Sequence, residues 1–277
     1  MNPSIFAVTT AMLCLAASGV HAEEPAAPRP PHSVALETYA FSGTLNNQAT
    51  TVVAPSIFAS FALSQRVTLT VAWLFAYAPS RGGTPATFQA GNPAIGANAV
   101  LRDGAFKIRA GGALVLPFTL LSDPDDDGSA LLRRAATLRG NSGVSLVAPG
   151  LLGLTPWADA SLRQGLFRFA LDARVPLSVQ LSSKRGRRAD AVFQLTGNVG
   201  LDVLPNLLVG TSLQAVYVMT AAADVDPSFL ALLPYIRLHG SPGFVEARLT
   251  LNLDAPLGFA FDPNGVWAAG LALGTTF

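Results

Sequence analysis

The chain has 277 residues, with 18 Lys and Arg against 17 Asp and Glu, and its net charge of +1 excludes an overall cationic surface built for nucleic acid. Charged residues make up 13% and hydrophobic residues 50%. Soluble domains carry about a quarter charged residues, so an ordinary water-facing surface is excluded too.

Residues 1–22, MNPSIFAVTTAMLCLAASGVHA, read as an export signal with an apolar core from about Ile5 to Ala17 and a small-residue cleavage pattern at Val20-His21-Ala22. No Lys or Arg precedes that core, so the amino terminus alone supplies positive charge. The core falls short of the about 20 apolar residues that a spanning helix needs. Cys14, the only cysteine, lies within the signal behind Leu13, where a lipidated cysteine would follow a small residue. The exported chain then has no thiol, which removes disulfides, cysteine nucleophiles and thiolate metal sites. Residues 23–33 are a Pro-rich extended lead, and 34–277 form the folded domain.

From Val34 onward the sequence alternates with a period of two. In V-T-L-T-V-A-W-L-F-A-Y-A, one face carries Val67, Leu69, Val71, Trp73, Phe75 and Tyr77, and the other passes from Thr68 and Thr70 to Leu74 and Ala76. Asp103-Gly104 marks a tight turn between two further alternating runs. In all, about twelve strands begin near Val34, Ser56, Val67, Ala94, Phe106, Thr155, Leu166, Ala191, Leu207, Leu230, Val245 and Val266. Each is close to the about 9–11 residues of a tilted spanning strand.

Short connectors, at 64–66, 102–104, 163–165, 204–206 and 240–243, alternate with longer ones, the largest at 118–154. That regularity predicts a transmembrane up-and-down antiparallel β-barrel with short periplasmic turns and long extracellular loops, whereas a sandwich with Greek-key crossovers gives no reason for it. An even strand count returns both termini to the turn side. The last strand alternates Trp267, Ala269, Leu271, Leu273, Thr275, Phe277. A terminal Phe closing such a strand resembles the signal read by the machinery that inserts bacterial outer-membrane β-barrel proteins; Thr275 stands where a larger apolar residue is usual. Tyr77, Phe75, Phe193, Tyr217 and Trp267 fall toward the outer rim, and Phe106, Phe167, Phe169 and Phe277 toward the periplasmic rim, as interface belts do.

The face turned from lipid carries Glu37, Asn98, Arg102, Lys107, Arg109, Asp159, Arg168, Asp172, Arg174, Gln194, Asn198, Asp202, Arg237, Glu246, Arg248, Asn252 and Asp254, which are the expected lumen-lining residues. Both signs are present, so this lining fits either a wet channel or a salt-bridged plug. Toward the outside the same face turns apolar, at Leu74 and Ala76, Ala113 and Val115, Val216 and Val218, Ala231 and Leu233. This grading predicts that apolar or amphipathic solutes enter from outside and leave by a polar exit; the alternative is an outer half packed shut. With G-N-P at 91–93 opening a strand, the architecture distantly resembles the outer-membrane transporters of fatty acids and hydrocarbons.

In the longest loop, Asp123, Asp125 and Asp127 have the D-x-D-x-D-G spacing of calcium loops, although Arg134 stands where an EF-hand places its bidentate Glu. A short helix is expected after them, over S-A-L-L-R-R-A-A-T-L-R. The K-R-G-R-R at 184–188 is a solvated loop tip or a clamp for lipopolysaccharide phosphates. His239 and Ser241 have a spacing that resembles the outer-membrane phospholipase, but they fall in a periplasmic turn and no Asn or Glu is evident to orient the His. The expected function is a channel or transporter for small solutes in the bacterial outer membrane, without catalysis. Its expected partners are outer-membrane lipid, lipopolysaccharide and the insertion machinery. The other classes are a non-transporting barrel whose loops bind a ligand or surface, and a lipid hydrolase.

Overall fold

The computed structural model describes residues 32–45, 48–80, 86–121, 131–132, 135, 146, 150–181, 189–221, 226–254 and 267–277. The export signal, Asp123, Asp125, Asp127 and the cationic tip at 184–188 lie outside the described residues.

Fourteen strand segments follow one another: β1 His32–Leu45, β2 Gln48–Ala62, β3 Val67–Ala78, β4 Thr87–Ala90, β5 Ala94–Arg102, β6 Phe106–Val115, β7 Leu151–Gln164, β8 Phe167–Arg174, β9 Leu177–Gln180, β10 Ala189–Leu204, β11 Leu207–Val218, β12 Ser228–His239, β13 Gly243–Asn252 and β14 Trp267–Thr276. β4 and β5 both pair with β3 and form one stave interrupted at 91–93. β8 and β9 both pair with β7 and β10 and form another, interrupted at 175–176. Pro176 lacks an N–H, and there only its carbonyl joins the ladder, accepting the Val192 N–H at 3.0 Å. The result is twelve antiparallel staves, and β1 pairs with β14 to close the barrel. Closure leaves no free sheet edge, as a backbone surrounded by hydrocarbon requires.

The sidedness follows the pleat. Along β3 the residues Thr70, Ala72, Leu74 and Ala76 are buried inside, while Val71, Trp73, Phe75 and Tyr77 point outward. Outward aromatics cluster at the loop end, where Phe75 stacks on Phe88 at 5.9 Å and Trp73 meets Phe118 edge-on at 5.5 Å. At the turn end Phe167 stacks on Phe169 at 6.2 Å. Gly104 (φ 125°) and Gly165 (φ 59°) adopt backbone conformations that a side chain would oppose, which suits the tight turns after β5 and β7.

One connection differs from the expected alternation. Leu45 pairs with Gln48, so β1 and β2 are joined across two residues on the loop side, not by a long loop ending near Ser56. The polar run at 42–51 reads as a loop by composition, yet its Thr residues favour strand and Asn46-Asn47 is a turn sequence. This hairpin therefore projects as paired strand.

Inside, three aromatic rings lie flat on the wall over glycines. A Cβ on Gly270 would stand 2.8 Å from Tyr39, one on Gly274 2.2 Å from Phe244, and one on Gly210 2.5 Å from the Tyr235 hydroxyl and 2.6 Å from the Val199 carbonyl. Gly210→Ala forces both a ring and a backbone strand to move. Such overpacking costs about 1–3 kcal/mol. A lowered urea midpoint, read from the gel-mobility difference between folded and unfolded barrel, is the expected result; an unchanged midpoint would show that the ring yields freely.

Candidate solute path through the barrel

The interior is charged toward the turn end. Arg109 and Asp159 face each other across β6 and β7, with Arg109 Nε donating to both carboxylate oxygens at 3.1 Å. Asp159 is in turn opposite Asp172, which pairs with Arg174. Asp202 accepts from Arg168 Nε at 2.9 Å and from Arg163 Nη2 at 3.2 Å. Glu246 accepts from Arg237 Nε at 2.7 Å and also binds Arg248. Two of these carboxylates thus each serve two guanidiniums. Arg248 packs its guanidinium 5.9 Å from the centroid of Tyr235, and Arg237 lies 4.5 Å above Phe244. Charged groups held this way lose less by leaving water, because each remains paired and hydrogen-bonded.

Asn98, Lys107, Arg109, Asp159, Arg168, Arg174, Gln194, Asn198, Asp202, Arg237, Glu246 and Asn252 are buried at inward register positions, and Glu37, Asp172 and Arg248 are half-buried there. Two residues expected in the lining stand elsewhere. A register shift between Val100 and Arg102 turns the end of β5, so Arg102 is exposed with its guanidinium 5.3 Å from the centroid of the outward ring of Phe106. Asp254 follows the end of β13 and accepts the Leu230 N–H at 2.8 Å, so it caps the loop end of the β12–β13 pair. Glu246 pairs with Arg248 on its own strand, whereas Arg168 turns to Asp202 on the neighbouring strand and leaves Asp172 to Arg174.

Toward the loop end the lining is apolar, and part of the longest loop enters it. Leu131, Leu132, Ala135 and Leu146 are buried in one cluster with Leu74, Ala76, Ala113, Val115 and Trp157. The point of entry is the interruption between β4 and β5. Phe118 lies outside against Trp73, while the next residue, Thr119, is buried and donates through its N–H (2.9 Å) and hydroxyl (2.7 Å) to Asn92 Oδ1. The Asn92 N–H donates to the Leu146 carbonyl, and a Cβ on Gly91 would lie 2.2 Å from that oxygen. Gly150 N–H completes the anchor by donating to Thr119 Oγ1 at 3.3 Å.

The opposite wall has a separate apolar cluster, Val192, Val216, Val218 and Phe229, against which Ala221 packs from the loop after β11 and no described residue of the 118–154 loop does. The cross-strand row Trp157, Arg174, Gln194, Val216, Phe229 runs into this cluster, with its polar members before its apolar ones. Trp157 Nε1 and Gln194 Oε1 are buried in that row without hydrogen-bond partners among the described residues. At the loop end, the N–H and hydroxyl of Ser228 both donate to Asp226, holding that carboxyl below its ordinary range.

Sequence reasoning missed the anchor and the loop residues it carries. The apolar spacing of Leu131, Leu132 and Ala135 was the available signal, since a helix with one apolar face needs a surface to cover. His239 ends β12, and Ser241 is exposed in the following turn.

A closed barrel with a lipid-facing apolar band, aromatic rims and a polar interior is a bacterial outer-membrane β-barrel. Solved structures of similar fold include an outer-membrane channel from Pseudomonas putida F1, at 14% identity and a TM-score of 0.59, covering 91% of this chain and 97% of that one. The NanC porin is similar at 8% identity and a TM-score of 0.52, covering 89% and 98%. No protein-family model and no curated protein sequence matches the chain.

Proposed function

We propose that the barrel is a channel for small amphipathic solutes, which pass between the folded-in loop and the β10–β12 wall. The row Trp157, Arg174, Gln194, Val216, Phe229 carries this reading. Its apolar end comes first, then a buried indole N–H and a buried amide oxygen without hydrogen-bond partners among the described residues, and below them paired guanidiniums and carboxylates. The likeness in fold to outer-membrane channels supports the general role. Purified protein in liposomes should admit short amphipathic alcohols faster than sugars of equal size, measured as swelling rate. Equal rates would reject the amphipathic preference, and no swelling with any solute would reject the channel.

The burial of Leu131, Leu132 and Leu146 favours a second reading, a barrel that binds a ligand at its outer loops without passing it. That reading expects ligand binding with no conductance even after the loop anchor is broken. In either case we propose that Phe277 serves recognition by the insertion machinery, and that lipopolysaccharide surrounds the outer rim. Calcium at Asp123, Asp125 and Asp127 would stiffen the long loop, so chelation should increase current noise.

A further inference from the structure

We propose that an outward groove across β6–β11 binds one acyl chain of an anionic glycerophospholipid of the periplasmic leaflet, with Arg102 holding its phosphate. The groove measures about 550 Å³ and is walled almost entirely by carbon. Its lower edge is the cross-strand row Phe106, Leu162, Phe169, Val199, Thr211, and Gly197 forms its floor. Five strands at a spacing of about 4.8 Å make a channel about as long as an extended acyl chain.

The register gives the groove a direction. Phe106 is the first residue of β6 at the turn end, whereas Thr211 lies four residues beyond the start of β11. The groove therefore climbs from the periplasmic interface into the hydrocarbon region as it passes from β6 to β11. At its lower mouth stands Arg102, exposed and stacked over Phe106. Among the described residues it forms no ion pair, so its guanidinium is available to a phosphate at the height where phospholipid headgroups lie. An apolar cleft with a cation only at its interfacial end matches a lipid; a second copy of the chain would have to offer a carboxylate at that one point.

Lipid binding in this outward groove is independent of transport through the interior. Protein reconstituted in nanodiscs of phosphatidylglycerol and phosphatidylethanolamine, then released into mild detergent, can be weighed by native mass spectrometry. Wild type should retain one phosphatidylglycerol in preference. Gly197→Phe fills the groove where a Cβ meets nothing within 4 Å, and should lose it. Arg102→Gln, at an exposed position that leaves folding intact, should lower the preference for phosphatidylglycerol by about fivefold. Wild-type retention of both lipids equally, or Gly197→Phe retaining lipid as wild type does, overturns the proposal. Lipid-free dimers dissociated by Gly197→Phe would overturn it in favour of a second copy.

Discussion

Asn92→Ala should release the folded-in loop and make channel openings larger and more frequent than in wild type. The substitution removes the acceptor of two hydrogen bonds from Thr119, which is buried where the seated loop holds it. Leaving a buried donor unsatisfied costs about 1–3 kcal/mol, so loss of this anchor weakens the seated loop by about 2–4 kcal/mol. A shift of that size raises the unseated fraction by roughly 30-fold or more, provided the seated state dominates. The backbone bond from Asn92 to Leu146 survives in the variant, and Asn92 lies in neither β4 nor β5, so the barrel itself should be unaffected. Gly91→Ala attacks the same contact from the other side, since its Cβ would meet the Leu146 carbonyl. Single-channel recordings of both variants should show larger and more frequent openings than wild type. Unchanged traces in both would mean that the loop is no obstacle to the path.

Glu246→Gln should be the most damaging single change to stability. The side chain is 2% exposed and is shared by Arg237 and Arg248. Its neutral replacement keeps the shape but leaves two buried guanidiniums facing an amide. Breaking a buried pair from one side costs about 3–5 kcal/mol. Urea denaturation should show it as a large fall in midpoint, and the triple variant with Arg237→Met and Arg248→Leu should recover much of the loss. Asp103→Asn offers the contrast. Asp103 is exposed and 3.9 Å from Lys107, and its loss should change stability by less than about 0.5 kcal/mol. Equal effects at both sites would contradict the assignment of Glu246 to a closed interior.

Most of the barrel was legible because its two signals are local. Alternation fixes which face of β3, β6 or β11 meets lipid, and turn chemistry fixes where each hairpin reverses. Lining residues such as Arg109 and Asp159 follow from parity alone, once a strand has been found. Parity fails wherever register slips, which is how Arg102 came to be expected inside. Ion-pair choice was not legible, because Arg168 has candidate carboxylates on its own strand and on the neighbouring one, and only the stagger between strands decides for Asp202. The folded-in loop was hidden for a similar reason. Leu132 and Leu146 gain their partners from Leu74 and Val115, and no local rule connects positions so far apart in sequence.

The pairing of β1 with β14 has a further consequence for how the molecule is made. Every other stave pairs with one that precedes or follows it directly in sequence, while Ala40 and Ala269 meet across roughly 230 residues. Hairpins can accumulate one after another, but the growing sheet keeps two sticky edges until its first and last staves find each other. Joining ends so distant is entropically slow, and an unfinished sheet is open to pairing with other chains. Assembly is therefore paced by this final seam, and the interval before it closes is when the protein most needs an escort.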